Sequence, residues 1–487
     1  MPLSRRAFVG CFLMLPGWQG RVIQAHPPDT GGPLADDGST SPMYSAVHSP
    51  AFYDAGLNRT FVAWEAWNGG RAQQVTALDH STGYFSDIEG MGRSFLVDDE
   101  HGNPTIVLDH ENHLHCFYGA HGNLTPEPKG MKHSSTRWPW GGAELGGSKW
   151  AQRADIAGEF TYPHAVMAGS GLHLFMRGYI SATADYPLVL YKTSALADGV
   201  ATWGAEQTIV DFGADSRVYQ GQAILVGTDI HFVVTKSPGV DSIRQHVYYF
   251  RYDTATGALT NHDGSFSTAS GSLPVDLTSA NSNYRIFTHS GSNGCYVPVL
   301  AFDTNGDPFV AFSDGTGTSL DIKVMKRSSG TWGSPETAAN TDLRFNDYAL
   351  GPLPGGEMEL FWTADPGAAW GDNGDIMRKV RSAAGVWGSA ETILAATTRS
   401  LGQLNVVRNA HANARVTFCE NAPNALDATA AAAQGRVYLW GAQGLVAYRQ
   451  APAAGAVGTA ADGNELREDD SIELREDDAN ELREVPD

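Results

Sequence analysis

The chain has 487 residues, 55 of them glycine, with 10% aromatic and only 18% charged residues, a mix that suits many short strands joined by tight turns. Its formal net charge of −21 argues against nucleic acid as a partner, because a phosphate backbone needs a basic surface. An acidic substrate stays open, since a local basic cleft can exist on an acidic protein.

The first residues read as an export signal. Ser4-Arg5-Arg6-Ala7-Phe8 resembles a twin-arginine motif, and an apolar run over residues 7–18 follows it. Val22-Ile23-Gln24-Ala25 ends in a small residue suited to cleavage before His26, although Ile23 is larger than the residue usual at its place. The run is shorter than the roughly 20 residues of a bilayer span, so no membrane anchor is expected. Residues 1–25 are taken as the signal of a secreted or periplasmic bacterial protein. Four cysteines, one of them within that leader, do not make a disulfide framework.

Beyond it, short strand and turn patterns recur and no long amphipathic helix pattern appears. Thr105-Ile-Val-Leu, Leu114-His-Cys-Phe-Tyr, Leu172-His-Leu-Phe-Met and Asp229-Ile-His-Phe-Val-Val are examples. Asp-x-x-Gly-x-Pro precedes a strand at Asp99–Pro104 and at Asp303–Pro308. Trp-Gly followed by a polar pair and Thr begins at Trp203, Trp332 and Trp387, with a weaker copy at Trp140. These tryptophans are spaced by 63, 129 and 55 residues, so one unit spans about 60 residues and seven units fill residues 26–450. Radially repeated four-stranded sheets predict an all-β, seven-bladed β-propeller in a single domain. A tryptophan at the same place in each unit is read as packing between blades.

Candidate chemistry concentrates early. Asp98 to Gly122 holds five of the sixteen histidines: His101, His110, His113, His115 and His121. His101 and His121 lie just outside short apolar runs, at positions that become loop mouths. His110, His113 and His115 alternate near a turn and an inner strand and are read as structural, while His164 and His173 are undecided. Tyr162-Pro163 comes some 40 residues on, and Arg177 ends the run 172–176. These are the parts a uronic-acid lyase needs. It must neutralise the carboxylate so that C5 becomes acidic, remove the C5 proton, and protonate the leaving oxygen on C4. An arginine fork suits the first task, and histidine or tyrosine suits the others. Lys132, His133 and Arg153 can add positive potential for a sulfated chain, although a solvated surface is the plainer reading.

Asp98-x-x-His101-Gly-Asn-Pro-Thr, His113-x-His115-x-Phe-Tyr-Gly-Ala-His121, Tyr162-Pro163 and His173-Leu-Phe-Met-Arg177 resemble the ulvan lyases with a seven-bladed propeller. The resemblance covers most of residues 45–445 in architecture, with its specific motifs within about 95–225. It implies Tyr162 as acid and also base, His101 as alternative base with His121 as its hydrogen-bonding partner, and Arg177 as the clamp on the uronate carboxylate. Tyr219 would support the sugar. The resemblance also implies a structural zinc in some members. Here His289 with Cys295, and His411 with Cys419, are two soft pairs that can converge on a tetrahedral site, one the chemistry itself does not require.

The expected activity is β-elimination on an acidic, ulvan-like polysaccharide by a monomer. A propeller glycoside hydrolase is the alternative, with Glu65, Asp98, Asp99 and Glu159 available as carboxylates. A non-catalytic sugar-binding propeller is the third reading. At the far end, a linker over 451–463 leads to Glu465-Leu-Arg-Glu-Asp-Asp, Glu473-Leu-Arg-Glu-Asp-Asp and Glu481-Leu-Arg-Glu. This stretch, with 11 acids and 3 arginines over residues 465–487, is expected to be a solvated, disordered tail.

Overall fold

The computed structural model describes residues 32–39, 43, 49–67, 71–95, 102–119, 130–142, 148–180, 185–214, 216–238, 244–289, 293–294, 297–316, 319–341, 347–364, 374–396, 401–420 and 435–450. The export signal expected over 1–25 and the linker and tail over 451–487 lie outside the described residues.

Antiparallel meanders follow one another along the chain. Ala51–Asp54, Arg59–Trp67 and Arg71–Asp79 form the first ladder. Thr105–Leu108, Leu114–Tyr118, Lys132–Thr136 and Trp150–Gln152 form the next, followed by Phe160–Ala168, Gly171–Gly178 and Leu188–Ala197. Arg217–Gln220, Asp229–Ser237 and Gln245–Asp253 come next, then Val299–Phe302, Pro308–Thr316, Ser319–Ser328 and Glu336–Thr341. Tyr348–Pro352, Met358–Ala364, Asp375–Arg381 and Glu391–Leu394 precede the last group, Leu401–His411, Ala414–Glu420 and Gly435–Gly441. The innermost strands surround one cavity of about 370 Å³, lined by Phe52, Val107, Val166, Ile224, Leu300, Leu350 and Val407 among others. The architecture is all-β and propeller-like, as the repeats predict.

Burial explains why the middle strands read as continuous apolar runs rather than alternations. Six consecutive residues of Asp229–Ser237, from Ile230 to Thr235, are buried because both faces of the sheet meet neighbouring sheets. The outer strand Val200–Trp203 alternates between exposed and half-buried positions instead. Ala35–Gly38 pairs with Gly435–Gly441, so the earliest described strand completes the sheet formed by the last ones. That pairing removes an open edge that would otherwise expose unpaired backbone groups.

The repeated phrases have separate structural causes. Asp303 Oδ1 accepts the backbone N–H of Asn305 and of Asp307, both at 2.9 Å, Gly306 takes φ +82°, and Pro308 opens the next strand. The aspartate thus closes the turn, and glycine supplies the left-handed backbone. Each repeated tryptophan packs against the preceding sheet. Trp140 meets Phe61 edge-on at 5.0 Å, Trp203 meets Phe117 at 5.7 Å, and Trp332 meets Tyr249 at 5.4 Å. Trp387 donates to Glu336 Oε2 at 3.2 Å.

Candidate active site

Tyr162 sits at a bulge in Phe160–Ala168. Thr161 pairs with Arg177 and His164 pairs with Phe175, so Tyr162 and Pro163 together face a single residue of the partner strand. Tyr162 has φ +56°, a left-handed conformation that costs an aromatic residue of order 1–3 kcal/mol. The bulge turns a regular strand into a mount for one side chain.

Around it the structure gathers a buried cluster of arginines and tyrosines. The Arg177 guanidinium lies 4.4 Å from the centre of the Tyr162 ring, 4.7 Å from that of Tyr219 and 5.1 Å from that of Tyr186. The Tyr162 and Tyr219 rings are 6.0 Å apart. Arg244 lies 3.7 Å from the Tyr219 ring and Arg217 4.9 Å from that of Tyr186. Tyr162 and Arg177 are each 4% exposed and Tyr219 5%. Burial pushes the Tyr219 phenol up, but Arg177, Arg244 and Arg217 together outweigh it and bring the group to about 8. Burial pulls Arg177 down, and the neighbouring Tyr162, Tyr219 and Tyr186 more than restore it, so it stays above its ordinary value. Nε and Nη1 of Arg177 are buried with no hydrogen-bond acceptor among the described residues.

Of the sequence-predicted residues, Tyr162, Arg177 and Tyr219 therefore come together. His101 and His121 lie outside the described residues, as do Asp98 and Asp99. Gly102, next to His101, is held through its carbonyl by Gln73 Nε2 at 3.2 Å, and Gln73 also donates to buried Glu65 at 3.1 Å. Tyr186, Arg217 and Arg244 complete the cluster and were not expected from sequence. Arg217 and Tyr219 are two apart on one strand and so share a face, and Tyr186-Pro187 repeats Tyr162-Pro163; these were the available signals. Nothing local pointed to Arg244.

Several other expectations change. Lys132 and His133 are not solvated: both are buried, Lys132 pairs with Asp155 at 2.7 Å, and His133 Nε2 meets His115 Nδ1 at 2.9 Å. The space between adjacent sheets takes up every residue of Lys132–Thr136. His115 also bonds Asp109 at 3.0 Å and His113 bonds the Thr136 carbonyl at 2.9 Å, a structural network as expected. His164 and His173 are buried, and burial lowers them to about 3 and about 4, which leaves both neutral.

The tetrahedral metal set does not assemble from its proposed members. Cys419 pairs with Gly402 at one end of its hairpin and His411 pairs with Ala414 at the other, roughly 17 Å away by strand rise. His411 stacks on His80 with ring centres 3.7 Å apart. Cys419 is fully buried, and burial pushes its thiol well above the ordinary range. His289 Nδ1 contacts Asp314 at 2.6 Å, and Cys295 lies outside the described residues. Among the described residues no three His, Cys, Asp or Glu side chains gather in a metal-binding group.

Comparison with known proteins places this cluster in context. The chain is 24% identical over 348 residues to Ulvan Lyase-PL25 of Pseudoalteromonas sp. (strain PLSV), covering 62% of this chain and 66% of that protein. It is 24% identical over 340 residues to an ulvan lyase of Alteromonas sp. (strain LOR), covering 61% of this chain and 64% of that one. The chain thus spans a little under two thirds of the length of these curated relatives. A solved PL25 ulvan lyase bound to GlcA(1-4)Rha3S superposes with TM-score 0.67 at 18% identity, over 85% of this chain and 96% of that one. The polysaccharide lyase Uly1 gives 0.54 at 13% identity, over 87% and 94%. A family model described as BNR repeat-containing family member matches residues 51–339. Because that match takes in more than half of the sequence, together with Tyr162, Arg177 and Tyr219, the chain belongs to the BNR repeat-containing family.

Proposed function

We propose that the protein is an exported polysaccharide lyase that cuts a uronate-containing, sulfated, ulvan-like polysaccharide by β-elimination on a seven-bladed propeller. The observation that carries this reading is the buried Arg177 guanidinium set between Tyr162 and Tyr219, with two N–H groups that no described residue accepts. A buried cation with unpaired donors favours an anionic ligand group. The named ulvan lyase relatives and the uronate-bearing ligand of the solved PL25 enzyme support the same class. The seven inner segments around one cavity support the blade count.

In this mechanism Arg177 binds the uronate carboxylate and stabilises the charge that grows on it as C5 loses its proton. Tyr162 takes the proton from C5 and gives one to the C4 oxygen as the C4–O bond breaks and a C4–C5 double bond forms. His101, with His121 beside it, is the alternative acceptor of the C5 proton. Tyr219, brought to about 8 by three arginines, supports the sugar beside that carboxylate. Residues 1–25 act as the export signal, and the enzyme works outside the cytoplasm as a monomer.

Incubation with ulvan and a panel of other uronate polysaccharides tests the proposal. The expected result is an unsaturated product that absorbs in the ultraviolet, formed from ulvan. New reducing ends without that absorbance would overturn elimination in favour of hydrolysis. Binding without cleavage would leave a sugar-binding propeller.

A further inference from the structure

We propose that Thr105 is a positioning residue for Tyr162, holding across the sheet boundary the bulge that aims the tyrosine. Thr105 is fully buried at the start of Thr105–Leu108, the innermost strand of the preceding meander. Its hydroxyl donates to the Pro163 carbonyl at 2.6 Å and accepts the Ser49 N–H at 3.0 Å. One side chain thus ties three successive meanders together at the residue following Tyr162. A left-handed tyrosine before a proline is unfavourable for isolated chain and persists where its surroundings fix it. The hydroxyl supplies a fixed acceptor–donor relay at that point.

A second bulge shows the same arrangement. Gln403 has φ +57° at a bulge in Leu401–His411, again an innermost strand. Asp347, which directly precedes the innermost strand Tyr348–Pro352 of the meander before it, accepts the Gln403 N–H. In both places a polar side chain at, or directly before, the start of the preceding inner strand bonds the backbone at the bulge, at the residue after the left-handed one in Tyr162-Pro163 and at the left-handed residue itself in Gln403. At Tyr162 that backbone carries a member of the arginine–tyrosine cluster, which makes Thr105 matter for turnover.

The inference rests on the lyase reading for its kinetic part, and one measurement is independent of it. Thr105→Val keeps the branched shape and removes the hydroxyl; Thr105→Ser keeps the hydroxyl. Both are compared with the full-length wild-type enzyme on ulvan, with ring-carbon NMR of labelled tyrosine, the Tyr162 resonance being assigned by its loss in Tyr162→Phe. Thr105→Val is expected to lower kcat about 10–100-fold, as misplacement of a reacting group does, with KM within about twofold. It should also shift the Tyr162 resonance, and Thr105→Ser should restore both. A wild-type kcat and an unmoved resonance in Thr105→Val would overturn the proposal. So would equal losses in Thr105→Val and Thr105→Ser accompanied by a general fall in melting temperature. If the wild-type enzyme cleaves nothing, the lyase reading fails, and the resonance alone then decides whether Thr105 positions Tyr162.

Discussion

The phenol oxygen of Tyr162 is the atom on which the proposed chemistry turns, and Tyr162→Phe removes it while keeping the ring that stacks near Arg177. The variant is expected to fold and to bind polysaccharide but to lose turnover by about 10²–10⁴-fold, the usual contribution of an acid–base group. Steady-state kinetics with a binding measurement checks this, and near-wild-type turnover would take Tyr162 out of the mechanism. Arg177→Lys should be impaired almost as much as Arg177→Ala, mainly in kcat, because a point charge does not reproduce a bidentate fork and the carboxylate gains charge on the way to the transition state. Full activity in the lysine variant would reduce the clamp to simple charge attraction. The Tyr219 phenol, lowered from 10 to about 8 by its arginines against the opposing effect of burial, binds fewer protons folded than unfolded between those values. Its contribution to stability is therefore full above pH 10 and is lost as the pH falls through about 8. The phenolate absorbance of the native protein should show an inflection near pH 8 that is missing from Tyr219→Phe. Its persistence in that variant would assign it to another tyrosine.

Between elements, stability is expected to come from the recurrent tryptophan that each sheet sets against the one before it. Trp332 packs edge-on against Tyr249 at 5.4 Å and is partly buried. Trp332→Ala should cost about 1–3 kcal/mol, less than a fully buried tryptophan because some of its surface stays wet. Val386, 66% exposed beside Trp387, should tolerate alanine within about 0.5 kcal/mol. Chemical denaturation of the two variants separates packing from mere proximity to the repeat, and equal effects would contradict the account. The Asp-x-x-Gly-x-Pro turn acts locally, closing its own loop through Asp303, so it sets register rather than contact between sheets. The expected pairing of His411 with Cys419 fails at this same scale. Histidine and cysteine eight residues apart look close in sequence, yet an antiparallel hairpin places His411 and Cys419 at its two ends.

For the whole chain, removal of residues 464–487 should leave melting temperature and activity nearly unchanged. The acidic repeats offer only one or two apolar residues in eight, too few to offset an ordering cost of about 1–2 kcal/mol per residue, and their charge would be repelled by a polyanionic substrate. Comparing full-length and truncated protein at low and moderate salt tests this. A large loss of activity or stability at both salt levels would mean that the tail packs on the folded region.

Strand content, the repeating unit and the tryptophan contacts were legible in the sequence because each is written in local periodicity and turn chemistry, as in Asp303–Pro308 or Thr331-Trp332-Gly333. Tyr162, Arg177 and Tyr219 could also be named from their motifs. Tertiary structure alone decided that Tyr162 stands on a left-handed bulge, that Thr105 reaches Pro163 from another sheet, and that Arg217, Arg244 and Tyr186 join the site. It also decided that Lys132 and His133 are buried and that His411 and Cys419 stay apart. A strand's alternation records which face is apolar, but how strands far apart in sequence meet depends on how successive sheets pack and close around their common cavity, which no local pattern encodes.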